Sequence, residues 1–244
     1  MIEVVDLERD LGGTRVLDGL SFAADEGAVT GFLGPNGAGK TTTMRVLATL
    51  LKPTSGSVRI NGFDVVTDAL EVRRSIGLVT EEPSLLDRLT VREQLEFNAS
   101  MYDLDDRTTR ERIDLLVELL GLSAEVGKRA GTLSKGNRQK AALARALVHD
   151  PPVLLLDEPT ANLDIVAQAG IQELLQRADV IGQKTVFLST HVLDEAERLC
   201  DRVVGIVAGK TVAQGTPAEI VASTGTSTFR EAFLSLVAET TMAV

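Results

Sequence analysis

The stretch GFLGPNGAGKTT, residues 31–42, holds four glycines, one lysine and two threonines between an apolar run and a segment of helical character. Glycine weakens helices and strands, so a cluster this dense indicates a backbone that curls or comes very close to another group. Residues 34–41 fit the pattern G-x-x-x-x-G-K-[ST] in the strand-to-helix setting that a phosphate-binding loop requires. A chance match has a probability of about 1% at average glycine usage. The stretch therefore predicts a nucleotide site.

Backbone and side chains have different tasks in such a loop. The glycines let successive N–H groups turn toward the β- and γ-phosphates, and the positive end of the following helix faces the same charges. Lys40 is predicted to bridge the two phosphates, and the Thr41 hydroxyl to bind Mg²⁺. The predicted nucleotide-binding residues of the loop are Gly34, Pro35, Asn36, Gly37, Ala38, Gly39, Lys40, Thr41 and Thr42.

Composition narrows the class of protein. The 244 residues are 44% hydrophobic, enough to bury a core in one large domain or two small ones. A net charge of −10 argues against a nucleic-acid-binding surface. The single cysteine, Cys200, excludes an internal disulfide, and the N-terminus MIEVVDLERD lacks a signal-peptide pattern. No apolar run reaches the roughly 18 residues of a membrane helix. We expect a cytosolic chain that does not itself insert into a membrane.

Short apolar runs alternate with longer helical patterns, which favours a mostly parallel sheet covered by helices. The predicted strands lie at residues 29–33, 76–79, 153–156, 185–189 and 203–207. Helical spacing between residues 91 and 147 predicts an inserted helical subdomain, and residues 6–27 alternate like antiparallel strands around a turn at Gly12 and Gly13.

The predicted fold is α/β: a P-loop NTPase core with a mostly parallel sheet, an N-terminal antiparallel β region and an inserted α-helical subdomain. We expect one domain over residues 1–225, with the helical subdomain at about residues 86–147. A short helical tail is expected over residues 226–244.

A second motif, VLLLDEP, is an apolar run that ends in two adjacent carboxylates, Asp157 and Glu158. Such a position lies at the carboxyl edge of the sheet, where ligands bind in α/β folds. Asp157 is predicted to hold Mg²⁺, usually through water, and Glu158 to act as general base or positioner for an attacking water. Alone, DEP would more often be a solvated turn. After a buried strand, in a chain with a phosphate-binding loop, it predicts catalysis.

Four segments together resemble the ATP-binding-cassette (ABC) ATPases, over nearly the whole chain. They are the phosphate-binding loop, LSKGNRQ at 133–139, LLLDEPTANLD at 154–164 and STH at 189–191. The resemblance implies that Ser134 and Gly136 contact the γ-phosphate held by an opposite subunit, and that Asp164 lies at the dimer interface. It also implies that His191 binds the γ-phosphate and helps orient the water. Taken alone, Ser134 would be a helix N-cap and His191 a surface residue. His149 matches no motif and is interpreted as structural.

Three positions depart from the pattern of this family. Leu11, followed by Val16, stands where many members place an aromatic ring on the adenine, so we expect apolar base contacts and weak discrimination of ATP from GTP. Glu81 replaces a glutamine; it could still ligand Mg²⁺, but it adds negative charge near Glu158. Lys135 replaces a glycine in the LSGG signature and adds positive charge at the start of its helix.

The resemblance implies an ATP-hydrolysing subunit that dimerises head to tail around two ATP and Mg²⁺. A second copy of this chain is the expected partner, and a different cassette chain is the alternative. A separate integral membrane permease would dock on the helical insertion, which would hold the chain at the inner face of the cell membrane. The segments TEEPSL, LSKGNRQK and FREAFLSLV resemble the drug- and ion-exporter branch, which implies export of a small molecule, drug or ion.

Two other functions fit the sequence less well. A member acting on ribosomes or DNA would usually carry paired cassettes, a long coiled coil or basic surfaces, none of which is present in the sequence. A regulatory module that binds ATP with little turnover is suggested by the departures at Leu11, Glu81 and Lys135. A GTPase would carry an N-K-x-D motif, which the sequence lacks.

Overall fold

A computed structural model describes residues 1–177 and 181–242. The strands are β1 (Ile2–Leu11), β2 (Thr14–Ala24), β3 (Val29–Leu33), β4 (Ser55–Ile60), β5 (Phe63–Asp64), β6 (Ile76–Val79), β7 (Val153–Asp157), β8 (Thr185–Thr190), β9 (Arg202–Val207) and β10 (Lys210–Gly215). The helices are α1 (Lys40–Leu47), α2 (Ala69–Ser75), α3 (Val91–Ser100), α4 (Asp106–Leu119), α5 (Lys135–Leu147), α6 (Ile165–Gln176), α7 (Leu193–Leu199), α8 (Pro217–Thr224) and α9 (Phe229–Met242). A 3₁₀ turn, Ala130–Thr132, precedes α5.

The N-terminal strands form an antiparallel sheet with the order β2-β1-β4-β5. Gly12 and Gly13 both have positive φ, +58° and +85°, which suits the tight turn between β1 and β2. Ile2, Val4 and Leu7 of β1 are buried, which packs one face of this sheet against the rest of the protein. The predicted antiparallel region is confirmed.

The central sheet has the order β10-β9-β3-β8-β7-β6, and all its pairs are parallel except that of β10 with β9. All five predicted strands lie in it. Leu154 and Leu156 of β7 pack into one apolar cluster, whereas Val153 and Leu155 pack into a second cluster on the opposite face. Burial on both faces explains why these strands are continuous apolar runs.

The helices α3, α4 and α5 lie between β6 and β7 in the chain, as the helical spacing predicted. A capping box of Thr90 and Glu93 starts α3, and the side chains of Asp105 and Ser134 cap α4 and α5. Their apolar faces join the cluster that covers one side of the central sheet. Among the described residues, no helix is long and apolar enough to span a membrane.

The predicted boundary at residue 225 falls between α8 and α9, and the division of the chain there stays a prediction. In α9, Phe229 and Phe233 are buried in the same cluster as the central sheet. A methyl group at Gly205 of β9 would lie 3.0 Å from the Phe233 ring. The last helix is therefore packed against the edge of the sheet, at β9 and β10.

Candidate active site

A cleft of about 550 Å³ opens at the carboxyl edge of the central sheet. The loops that follow parallel strands lie at the same edge of a sheet, so the segments after β3, β7 and β8 meet at the carboxyl edge of this one. The predicted site residues that line this cleft are Val16, Asn36, Gly37, Gly39, Lys40, Thr41, Thr42, Glu81, Glu158 and His191. The structure thus brings together residues that lie up to 175 positions apart, from Val16 to His191.

The phosphate-binding loop is shaped by glycines that either lack room for a side chain or have a positive φ. A methyl group at Gly34 would lie 2.3 Å from the carbonyl oxygen of Ile206. Gly39 has a φ of +110°, and a methyl group there would lie 2.6 Å from the Leu17 side chain. Gly37 also has a positive φ, of +80°. Since α1 begins at Lys40, its first N–H groups follow directly on this curled backbone, which fits a cradle for phosphates.

Lys40 places its amine inside the loop. The side chain is only 7% exposed, and Nζ donates hydrogen bonds to the carbonyl oxygens of Gly34 at 2.7 Å and Pro35 at 3.3 Å. The same nitrogen lies 3.4 Å from Oε1 of Glu158. A buried positive charge surrounded by these acceptors is suited to bind phosphate oxygens entering the cleft.

The two adjacent carboxylates at the end of β7 have different partners. Asp157 Oδ1 accepts a 2.6 Å hydrogen bond from the Ser189 hydroxyl on β8. Glu158 has a φ of +48°, which is strained for a residue with a side chain, and its backbone N–H donates to the same hydroxyl at 3.0 Å. Ser189 therefore ties both residues to the neighbouring strand. The left-handed backbone turns the Glu158 side chain into the cleft, beside Lys40 and His191.

His191 follows β8 and lies at the mouth of the cleft, where about half of its side chain is exposed. Its Nδ1 is 2.8 Å from Oε2 of Glu158, so one ring nitrogen is engaged by the carboxylate. Lys40 and His191 thus contact opposite oxygens of one buried carboxylate.

The predicted Mg²⁺ ligands share one wall. Thr41, Glu81 and Asp157 all line a recess of about 370 Å³ that adjoins the cleft. Their oxygen atoms are the hard donors that Mg²⁺ prefers, and Mg²⁺ commonly keeps several waters and takes phosphate oxygens as further ligands. The described part of the chain contains no group of three or more His, Cys, Asp or Glu residues placed to hold a metal by themselves. These residues fit a Mg²⁺ that enters with a nucleotide.

Apart from Gly34, Pro35 and Ala38 of the loop and Asp157 of the adjoining recess, four predicted site residues do not line the cleft of their own chain. Ser134 is exposed and caps α5 through the N–H of Asn137 at 3.3 Å, and Asp164 caps α6 through the N–H of Ala167 at 2.9 Å. A methyl group at Gly136 would lie 2.8 Å from Cβ of Ala167, so this glycine lets α5 and α6 approach closely. Leu11 ends β1 and is not among the cleft residues, whereas Val16 is.

His149 is structural, as interpreted from the sequence. Its Nε2 lies 3.0 Å from the carbonyl oxygen of Ile76, and its ring stacks on Tyr102 at 3.7 Å. Burial lowers its pKa from 6.5 to about 4, which keeps the ring neutral.

Sequence reasoning missed three polar residues at the site. Ser189, Thr160 and Glu195 are buried beside the catalytic loops. Ser189 belongs to the STH segment at 189–191, and its position at the end of a buried strand indicates that it lies near the site. The sequence contains no comparable signal for the contacts of Glu195.

A mostly parallel sheet that presents a phosphate-binding loop and strand-end carboxylates at one edge is the architecture of P-loop nucleoside triphosphatases. The comparison with known families is more specific. Residues 17–161 match the ABC transporter family, and this chain belongs to that family.

Two relatives illustrate the relationship. The ABC transporter ATP-binding protein NatA of Bacillus subtilis (strain 168) is 41% identical over 197 residues, which are 80% of each chain. The daunorubicin resistance ATP-binding protein DrrA3 of Streptomyces coeruleorubidus is 41% identical over 224 residues, which are 92% of this chain and 71% of the relative.

Solved structures confirm the fold. An ATP-binding subunit of an ABC transporter has a TM-score of 0.88 at 30% identity, over 97% of this chain and 99% of that chain. A dimeric bacterial ABC transporter cassette has a TM-score of 0.79 at 28% identity, over 88% of this chain and 98% of that chain. The predicted family and fold class are confirmed: the chain is an ATP-binding ABC ATPase.

Proposed function

We propose that this ATPase powers the export of a small molecule, drug or ion through a separate integral membrane permease. The relative named for daunorubicin resistance supports export, and the similar solved chain described as an ATP-binding subunit supports a separate partner. The observation that carries the catalytic part is the placement of Glu158 between Lys40 and His191 in the cleft.

The loop residues hold the triphosphate in this proposal. Lys40 exchanges its contacts with the loop carbonyls for the β- and γ-phosphate oxygens, and the N–H groups of residues 36–42 surround the same charges. Thr41, Asp157 and Glu81 hold Mg²⁺, which supplies charge stabilisation at the transferring phosphate. Val16, which lines the cleft, provides the apolar contact for the base.

Glu158 takes a proton from the attacking water. Its carboxylate is buried and held on both sides, which fixes it at the edge of the cleft. Because His191 Nδ1 lies against Glu158 Oε2, Nε2 is the ring nitrogen left to contact the γ-phosphate and orient the water. The two residues together place the water in line with the phosphate.

The working unit in this proposal is a head-to-tail homodimer. Ser134, Gly136 and Asp164 lie outside the cleft of their own chain, as expected of residues that complete the site of a second copy. The helix dipole of α5 and the added charge of Lys135 would then face the partner's γ-phosphate. The dimeric state of a similar cassette supports this arrangement.

The permease is proposed to dock where the helical subdomain meets the core. Leu50, Phe97 and Met101 are large apolar side chains that are 54–60% exposed, and a recess of about 250 Å³ lies between Leu50, Asn98 and Tyr102. This surface would receive a cytoplasmic helix of the permease, and the contact would hold the chain at the inner face of the cell membrane. No nucleic acid takes part, in keeping with the net charge of −10.

Reconstitution tests the proposal. The chain is purified with and without its co-purifying membrane protein, and ATP hydrolysis and ATP-dependent transport into inside-out vesicles are measured. We expect hydrolysis that rises with the permease and transport that is lost with Glu158→Gln. Turnover that stays absent in the complex would favour the regulatory alternative, and transport in the opposite direction would overturn export.

A further inference from the structure

Glu195 is a carboxylate in α7 that is almost completely buried, with 2% of the residue exposed. Oε2 accepts a 2.5 Å hydrogen bond from the Thr190 hydroxyl, and Oε1 accepts one of 2.7 Å from the Thr160 hydroxyl. Oε1 also accepts from Nε2 of Gln172 on α6 at 3.3 Å. A single carboxylate therefore joins three separate segments of the chain.

Two of these segments carry the proposed catalytic groups. Thr160 is the second residue after Glu158, and Thr190 is the residue before His191. The Thr190 hydroxyl also accepts a 3.0 Å hydrogen bond from the N–H of Val192, so it closes the turn on which His191 lies. The Glu195 carboxylate thus bonds to residues that lie two positions from Glu158 and one position from His191 in the chain.

The chemistry of this contact suits a carboxylate. An ionised carboxylate is an acceptor only, and here three donors converge on its two oxygens. These donors are the Thr160 hydroxyl, the Thr190 hydroxyl and the Gln172 amide, and they engage both carboxylate oxygens. A neutral amide in its place would offer one acceptor oxygen and one NH₂ group with two donor hydrogens, which does not match three donors.

We propose that Glu195 is a positioning residue for ATP hydrolysis, whose carboxylate holds the loop after Glu158 and the turn of His191 in fixed positions relative to each other. The proposal rests on the roles given above to Glu158 and His191. The contact between them, Nδ1 to Oε2 at 2.8 Å, depends on two loops that belong to different strands. Glu195 bonds directly to one residue beside each of them, Thr160 and Thr190.

Glu195→Gln is the primary test, measured as steady-state ATP hydrolysis at varied ATP. We expect kcat to fall by about tenfold or more, because small displacements of catalytic groups cost this much or more. KM for ATP should stay within about twofold, because the phosphate-binding loop makes no bond to Glu195. Glu197→Gln is the matched control, since Glu197 is exposed on the same helix, and it should leave kcat unchanged.

A spectroscopic measurement separates positioning from general stability. The chain has two histidines, His149 and His191, so ring-labelled, untagged protein gives two sets of imidazole NMR signals. In Glu195→Gln the His191 signal should shift, because its contact with Glu158 loosens. The His149 signal should stay, because that ring is held by Tyr102 and Ile76. The proposal would be overturned if kcat or the His191 signal did not change in Glu195→Gln. It would also be overturned if both histidine signals, KM and Tm all changed together, since that would indicate a general loss of stability.

A milder pair of variants decides the matter if Glu195→Gln does not fold. Thr160→Val removes one hydrogen bond to Glu195 and keeps the shape, whereas Thr160→Ser keeps the hydroxyl. We expect a lower kcat and a shifted His191 signal for Thr160→Val, whereas Thr160→Ser should keep both close to their wild-type values. Equal kcat values for the two variants would overturn the proposal. A failure of the general-base role of Glu158 can be distinguished from a failure of the Glu195 proposal. In the first case the Glu158→Gln protein would hydrolyse ATP, while the His191 signal would still shift in Glu195→Gln.

Discussion

Nδ1 of His191, in the loop after β8, lies 2.8 Å from Oε2 of Glu158, in the loop after β7. Oε1 of the same carboxylate lies 3.4 Å from Nζ of Lys40. Glu158 thus connects the residue expected to bind phosphate with the residue expected to orient the water. Substitutions of the individual side chains therefore separate what each contributes to binding and hydrolysis.

Glu158→Gln should retain ATP binding and lose most hydrolysis, so that an ATP-bound dimer accumulates. The amide keeps the size of the side chain but cannot take a proton from water. General-base catalysis contributes about 10²–10⁴-fold, and we expect a loss of that order in kcat. ATP binding and turnover are measured beside Glu173→Gln, an exposed residue of α6. A near wild-type rate would refute the general-base assignment.

Lys40→Ala should weaken ATP binding and hydrolysis together. The amine is the buried positive charge of the loop, and each lost charge-assisted hydrogen bond costs about 1.5–3 kcal/mol. We expect at least about tenfold weaker binding by equilibrium titration. Lys128→Ala, which removes an exposed amine paired with Glu125, is the control. Unchanged affinity and turnover would show that the loop is not the nucleotide site.

Strands buried on both faces were predictable because they are continuous apolar runs, as in β7 and β8. The sequence does not indicate β4, which contains Gly56 and is mostly exposed, or the edge strand β10. Both are too polar for an apolar run to reveal them. The phosphate-binding loop was found because its function depends on consecutive residues. The hydrogen bonds of Glu195 join residues up to 35 positions apart, and no local pattern reports such contacts.

Gly136 combines a packing role with the proposed contact to a partner's phosphate, and two substitutions can separate them. Gly136→Ala places a methyl group 2.8 Å from Cβ of Ala167, and we expect about 1–3 kcal/mol of destabilisation. Adding Ala167→Gly should restore Tm by removing the facing methyl group. If Gly136 also serves a partner's nucleotide, hydrolysis stays low in the stable double variant. Full activity of the double variant would show that Gly136 has only the packing role.

Acid destabilisation should depend on His149. Burial lowers its pKa from 6.5 to about 4, so between these values the unfolded chain binds more protons than the folded chain. Stability therefore falls as the pH falls from about 6.5 toward 4, and rises again with pH. His149→Gln removes this group and should flatten the Tm profile in that window. Identical profiles for the two proteins would contradict the assignment of a buried neutral ring.

The shared-site mechanism predicts that two inactive variants complement each other. Ser134→Arg blocks the signature that faces a partner, and Lys40→Ala disables the chain's own loop. In a mixed dimer one composite site contains both defects and the other contains neither. Random mixing makes half of the dimers mixed, each with one intact site of two, so about a quarter of the wild-type rate should return if one site suffices.

Ser134→Ala is the matched control for this experiment, because it removes the cap on α5 without adding bulk. Its loss of stability, about 1 kcal/mol, shows how much of the Ser134→Arg effect comes from the cap alone. Hydrolysis is measured while Lys40→Ala protein is titrated into Ser134→Arg protein, and the oligomeric state is followed by light scattering. Recovery should peak near equal amounts, since that ratio maximises mixed dimers. Full activity of Ser134→Arg protein that remains monomeric with ATP would exclude a site shared between two chains.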